Sequence, residues 1–120
     1  MERSNVLYEP QTANSYKPER TVKVRRFAEI LARTGLVEAK LGSAVSLIEP
    51  GETLEKHKHP VTEFIYLVNG TAEVSVEGQT QKLTEGDVVV VPPNKLHCVS
   101  NCGNEPFRLF HVWWGEVGGA

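Results

Sequence analysis

The sequence predicts an all-β fold, a sandwich or barrel in a single domain, and three observations carry that prediction. The 120 residues leave little room for a second core. From residue 42 onward, short apolar runs are cut by Gly, Pro or Asn every 8–12 residues or so, the rhythm of successive strands and turns. The segment AEVSVEG alternates, with Ala72, Val74 and Val76 on one face and Glu73, Ser75 and Glu77 on the other. One side of that strand should therefore face water.

Taken in order, residues 1–20 are rich in Asn, Pro and Ser and read as an extended arm without its own core. In VKVRRFAEILAR, Val22 and Val24 alternate like a strand, while Phe27, Ile30 and Leu31 have helical spacing. A short strand running into a helix of about two turns is expected there, with Gly35 as its stop. Residues 1–40 are thus an arm with a short strand and helix, and 41–120 the barrel. The runs FIYLV and VVVV do not alternate, so both of their faces should be covered.

The composition excludes several function classes. Net charge is −2, with no overall basic footprint for nucleic acid. Residues 1–40 hold eight Lys/Arg against five Asp/Glu, while 41–120 hold five against ten. A basic arm could contact nucleic acid, but an acidic barrel suits it at least as well, and no nucleic-acid partner is expected. No apolar run approaches the roughly 20 residues that span a bilayer, and the N-terminus lacks the apolar stretch of a secretion signal. A cytoplasmic protein without a membrane partner is expected. Cys98 and Cys102 are then two ordinary thiols rather than a disulfide.

Three of the four histidines cluster with a glutamate. In EKHKHPVTEF, His57 and His59 lie two apart and would share one side of a strand; Glu63 follows after Pro60, and His97 comes 34 residues later. Surface or satisfied core histidines are the alternative. Imidazole nitrogens with one carboxylate suit a borderline divalent metal such as iron(II), manganese(II), nickel or zinc.

Flanking glycines sharpen this reading. GETLEKHKHPVTEFIYLVNG fits G-x5-H-x-H-x3,4-E-x6-G at every fixed position from Gly51 to Gly70. GDVVVVPPNKLHCVSN fits G-x5-P-x-G-x2-H-x3-N at Gly86, Pro92, His97 and Asn101, with Asn94 standing where the pattern has glycine. These motifs resemble the cupin superfamily of small jelly-roll barrels. Asn94 tolerates a left-handed backbone better than most residues, so the turn should survive. The resemblance implies a jelly-roll barrel, and one divalent metal ion per chain held by His57, His59, Glu63 and His97, with iron(II) or manganese(II) favoured over nickel, zinc or copper. The first 40 residues lie outside it.

The remaining histidine, His111, sits in FRLFHVWW, where Phe107, Leu109, His111 and Trp113 share a strand face. Turned inward, it is a candidate catalytic acid or base beside the metal; otherwise it is an ordinary barrel or interface histidine. Phe64, Tyr66 and Val68 should point away from Glu63 and form an apolar outer surface, which with the resemblance favours a homodimer. Val45, Leu47, Ile65, Leu67, Val74 and Val76 are the expected pocket lining. That apolar lining favours a metal-dependent dioxygenase acting on a small oxygenated metabolite. A cupin isomerase, lyase or decarboxylase is the alternative within enzymes, and a non-catalytic module binding metal and a small ligand the alternative outside them.

Overall fold

A computed structural model describes residues 6–33 and 41–115. Ten strands and one short helix follow in order. They are β1 (Lys17–Glu19), β2 (Val22–Arg26), α1 (Ala28–Ala32), β3 (Leu41–Ile48), β4 (Thr53–His57), β5 (Thr62–Leu67), β6 (Thr71–Val76), β7 (Gln79–Thr84), β8 (Val88–Val91), β9 (His97–Ser100) and β10 (Phe107–Trp114). They form two antiparallel sheets, ordered β1-β2-β3-β10-β5-β8 and β4-β9-β6-β7. The jelly-roll expectation holds. No helix among the described residues is long and apolar enough to cross a membrane.

The core lies between the sheets. Ile48, Ile65, Leu67, Phe107 and Leu109 from the larger sheet meet Leu54, Val74, Leu83 and Val99 from the smaller one. Each such side chain, moved from water into a packed interior, stabilises by about 1.5–3 kcal/mol. Strand alternation chooses the inward set. Phe107, Leu109 and His111 are buried while Arg108, Phe110 and Val112 between them are only partly so. Gly70 closes the turn after β5 at φ +77°, a conformation that L side chains avoid, and an added Cβ there would press on Phe107 Cβ at 3.1 Å.

The N-terminal segment joins the barrel's larger sheet. β1 and β2 extend the larger sheet through the β2–β3 pairing, Lys23↔Leu47 to Arg26↔Ala44, and Val22 and Val24 are buried in the common core. Earlier residues pack on the outside of that sheet, where Glu9 pairs with Arg25 and the Tyr16 hydroxyl accepts from Arg108 Nε at 3.1 Å. The helix is shorter than its spacing suggested. Phe27 makes no side-chain cap hydrogen bond and α1 buries no residue, so neither capping nor packing favours a longer helix among the described residues; Phe27 instead makes an edge contact with Phe110. Gly35, its expected stop, lies outside the described residues.

VVVV is covered on one face only. β8 is the edge of the larger sheet, with Val91 buried while Val88 and Val90 are 46% and 53% exposed. Next to it on β5, Tyr66 is 38% exposed, and Val68 just beyond the strand is 42% exposed. Among the described residues the arm contacts Arg25 of β2 and Arg108 of β10, away from this apolar face.

Candidate metal centre

The pairing registers bring three of the four sequence-predicted ligands together from both sheets, and a loop adds the fourth. β10 is central: His111 lies opposite Ala44 of β3 and Ile65 of β5, and Trp113 lies opposite Gly42 and Glu63. Glu63 is therefore a diagonal neighbour of His111 on the inward face. On the smaller sheet His57 ends β4 directly opposite His97, which opens β9, after an irregular register between Leu54 and His57. His59 is not on a strand as its spacing with His57 suggested. It sits in the loop before β5, and its carbonyl accepts from Asn94 N at 2.8 Å. Asn94 holds φ +63°, the left-handed turn expected of it in place of glycine. That turn thus fixes the loop carrying His59.

One candidate ligand atom from each of His57, His59, Glu63 and His97 lies within 4.8 Å of all the others. The His57 and His97 ring centroids are 4.2 Å apart. The His57 Nδ1–H donates to the Glu55 carbonyl and the His97 Nδ1–H to the Lys95 carbonyl, each at 2.8 Å. These bonds fix both rings with a lone pair on Nε2 when neutral, the outer-shell arrangement that orients imidazole ligands. His97 Nε2 then stands 2.9 Å from Glu63 Oε1. Two acceptors repel at that distance unless a cation, a proton or a metal ion, lies against both. Among the described residues His59 Nδ1 is a buried polar atom without a hydrogen-bond partner. The donor set and its orientation fit a borderline divalent ion.

A cupin-domain family matches residues 44–113, more than half of the chain. The chain belongs to the cupin family. Among curated relatives, a polyketide synthase protein of Streptomyces cyaneus is 34% identical over 70 residues, 57% of this chain and 46% of the relative. A tetracenomycin polyketide synthase protein of Streptomyces glaucescens is 32% identical over 63 residues, 52% of this chain and 42% of that one. The chain thus spans about half the length of the curated relatives it matches. Among solved structures, a Photorhabdus luminescens protein superposes at TM-score 0.80 with 19% identity, over 92% of this chain and 89% of its own. A cupin 2 conserved barrel protein from Salinispora arenicola superposes at TM-score 0.77 with 24% identity, over 92% and 90%.

In this cupin the last motif residue, Asn101, is structural. It is buried, its Nδ2 donates to the carbonyls of Ile48 and Glu105 at 3.0 and 2.8 Å, and its Oδ1 accepts from Gly103 N. Cys98 and Cys102 are both free thiols. His111 is 4% exposed and joins the centre through its second layer: its Nδ1 faces Glu63 Oε2 at 3.1 Å and its Nε2 faces Ser46 Oγ at 2.8 Å.

The electrostatics follow from these contacts. Burial acts to raise the Glu63 carboxyl, but hydrogen bonds from His111 and His97 outweigh it and hold it well below the usual carboxylate range. Burial acts to lower His97, yet the Glu63 carboxylate and the Lys95 carbonyl raise it above its ordinary value of 6.5. Burial pushes His57 down. In protein stripped of metal, the His97 contribution to stability is therefore complete below pH 6.5 and lost as pH rises through its raised folded value. The Glu63 contribution is present above about pH 4.5 and lost as pH falls through its lowered one. His97 would have to give up that proton to serve as a ligand. At pH 6, metal titration in buffers of different ionisation enthalpy should register release of about one proton per site. That release should vanish at alkaline pH, and apparent affinity should fall about tenfold per unit below the His97 value. A pH-independent affinity between pH 6 and 8.5 would contradict this assignment.

The centre opens into a cavity of about 360 Å³, the small end of ligand pockets. Its lining differs from the expected one. Alternation on β3 turns Ala44 and Ser46 inward, so Val45 and Leu47 face away; Ile65 and Leu67 lie beneath, fully buried in the core. Val74 and Val76 line a separate cavity with Lys95. The ligand-side wall instead carries Val24, Leu54 and Trp113 together with Glu19, Arg20 and Arg26. Trp113 reaches this wall because its ring lies against Gly42, where any side chain would collide with it. Sequence reasoning missed Ser46, whose parity on β3 was the available signal, and the charged hairpin residues, which no motif marks.

Proposed function

We propose that this cupin is a metal-dependent enzyme acting on a small oxygenated metabolite, with His111 as its proton-carrying group. The observation that supports it is the shared carboxylate: one Glu63 oxygen faces His97 and the other faces His111. An ionised Glu63 accepts from His111 Nδ1–H, which leaves the Nε2 lone pair to accept from the Ser46 hydroxyl at the cavity wall. That is the tautomer of a general base, and Ser46 is the hydroxyl through which its reach extends into the cavity. A divalent ion held by His57, His59, Glu63 and His97, iron(II) or manganese(II) by preference, supplies Lewis acidity towards a substrate oxygen.

Proton-transfer chemistry, as in an isomerase, lyase or decarboxylase, suits this site better than the dioxygenase reading drawn from an apolar lining. Two arginines and a glutamate share the wall, and the base is already oriented. Two of the curated relatives are named as polyketide synthase proteins. A polyketide carries carbonyls with acidic C–H bonds between them, the bonds that such a base opens: the proton goes to His111 through Ser46 and the electron pair shifts onto the carbonyl oxygen. Val24, Leu54 and Trp113 keep dioxygenation as the second reading. Turnover of β-dicarbonyl compounds by iron(II)-loaded protein separates the two. Proton transfer should proceed at an unchanged rate without oxygen, whereas turnover that stops under anaerobic conditions would replace it with dioxygenation. A non-catalytic binding cupin would turn over none of them in air or without it.

The exposed Tyr66, Val68, Val88 and Val90 support a homodimer through the β5–β8 face. Light scattering at micromolar concentration should give twice the chain mass, and Val90→Asp should shift it to monomer. A wild-type monomer would refute this assembly.

A further inference from the structure

The β1–β2 hairpin lies outside the matched family segment, yet it supplies three charged side chains to the cavity that holds the metal donors: Glu19, Arg20 and Arg26. The hairpin is fixed rather than loose. Thr21 in its turn donates to the Thr53 carbonyl and accepts from Glu55 N at 3.1 Å, which ties it to β4 of the opposite sheet. Arg20 adopts φ +54° in that turn, and its only ion pair among the described residues is a single 3.7 Å contact to Glu55, with both side chains about half exposed. Its guanidinium is therefore largely uncommitted. Arg26 stacks over Trp113, 5.6 Å from the ring. Its Nε and Nη2 both donate to the Glu19 carboxylate. A carboxylate is thus already seated in the two-pronged geometry that guanidinium groups offer.

Taking the metal-dependent reading above as its basis, we propose that Arg20 and Arg26 form an anion subsite that binds a carboxylate of the substrate, with Glu19 as an internal competitor for Arg26. The substrate class is then a small oxygenated acid. One oxygen-bearing end faces His57, His59, Glu63 and His97, and a carboxylate at the other end faces the hairpin. Glu19 and Glu63 balance the two arginines along the cavity wall, so a divalent ion leaves the lined cavity with a surplus of positive charge that a dianion matches. The competing Glu19 gives the proposal a signature that a merely structural ion pair lacks. Neutralising the two members of the pair should change carboxylate affinity in opposite directions.

The test uses zinc-loaded full-length protein, with metal content measured on each sample, and calorimetric titration with malonate, succinate and acetate. Arg20→Gln and Arg26→Gln should each weaken dicarboxylate binding by about tenfold or more. Both should leave acetate, which has no second carboxylate for the hairpin, unchanged. Glu19→Gln should tighten dicarboxylate binding. Dicarboxylate affinities equal to wild type in both arginine variants, or a Glu19→Gln protein that binds more weakly, would overturn the subsite. Should Arg26→Gln fail to fold, Arg20→Gln and Glu19→Gln decide it. Wild-type protein that holds no zinc would overturn the metal reading separately, and the response of dicarboxylate binding to the same variants would still decide the subsite.

Discussion

Replacing Glu63 with glutamine is expected to lower metal affinity by at least about 100-fold, beyond the 10–100-fold typical of outer-shell partners. This carboxylate is 6% exposed and reaches three histidines: Oε1 lies 2.9 Å from His97 and 3.6 Å from His59, and Oε2 lies 3.1 Å from His111. A glutamine amide keeps the volume but removes the anion. His97 then loses the partner that raises it, so in stripped protein it should titrate lower. The proton released on metal binding at pH 6 should fall towards zero with it. Equilibrium dialysis and NMR titration of the His97 ring check the two effects. Wild-type metal affinity in Glu63→Gln would remove Glu63 from the centre.

Replacing His111 with alanine is expected to cost turnover by about 10²–10⁴-fold at saturating metal, the usual contribution of a positioned acid or base. The same change leaves Glu63 Oε2 and Ser46 Oγ without their mutual partner. Each buried polar group so left costs about 1–3 kcal/mol, so the melting temperature should also fall. The informative quantity is turnover per bound metal in the folded fraction. A value within about twofold of wild type would make His111 a packing residue that only orients Glu63. A loss of the stated size, with metal retained, would fit the proton-carrying role.

These two side chains were legible to different degrees. His57, His59, Glu63 and His97 stood out by type and spacing, because ligand chemistry restricts which residues can serve and the motif glycines restrict the backbone between them. Gly70 at φ +77° and Asn94 at φ +63° are positions where that restriction is visible in the fold. His111 was legible only as one member of an alternating face. Its role beside Glu63 depends on β10 pairing with β5 in a register that no local pattern announces.

Pocket character was read least well. An apolar lining followed from choosing Val45 and Leu47 on β3, whereas the strand turns Ala44 and Ser46 inward. A one-residue difference in facing exchanges every side chain between core and solvent, and LGSAVSLI is apolar enough on both faces to permit either choice. The strand at Val22 and Val24 was legible, but its partner was not, for a related reason. VKV has strand alternation, but what it pairs with is decided 20 residues later by β3.

The β class, the family, the four candidate metal donors and the turn residues between them were legible from the chain alone, because each rests on residue chemistry or on local backbone geometry. Tertiary structure alone decided that Glu63 is shared between His97 and His111, that Ser46 closes the chain of hydrogen bonds, and that Arg20 and Arg26 wall the cavity. Those contacts join residues 34 to 65 positions apart, or place an N-terminal hairpin across two sheets. Such distances are set by strand register and sheet order, and these depend on the burial of the whole core rather than on any segment of it.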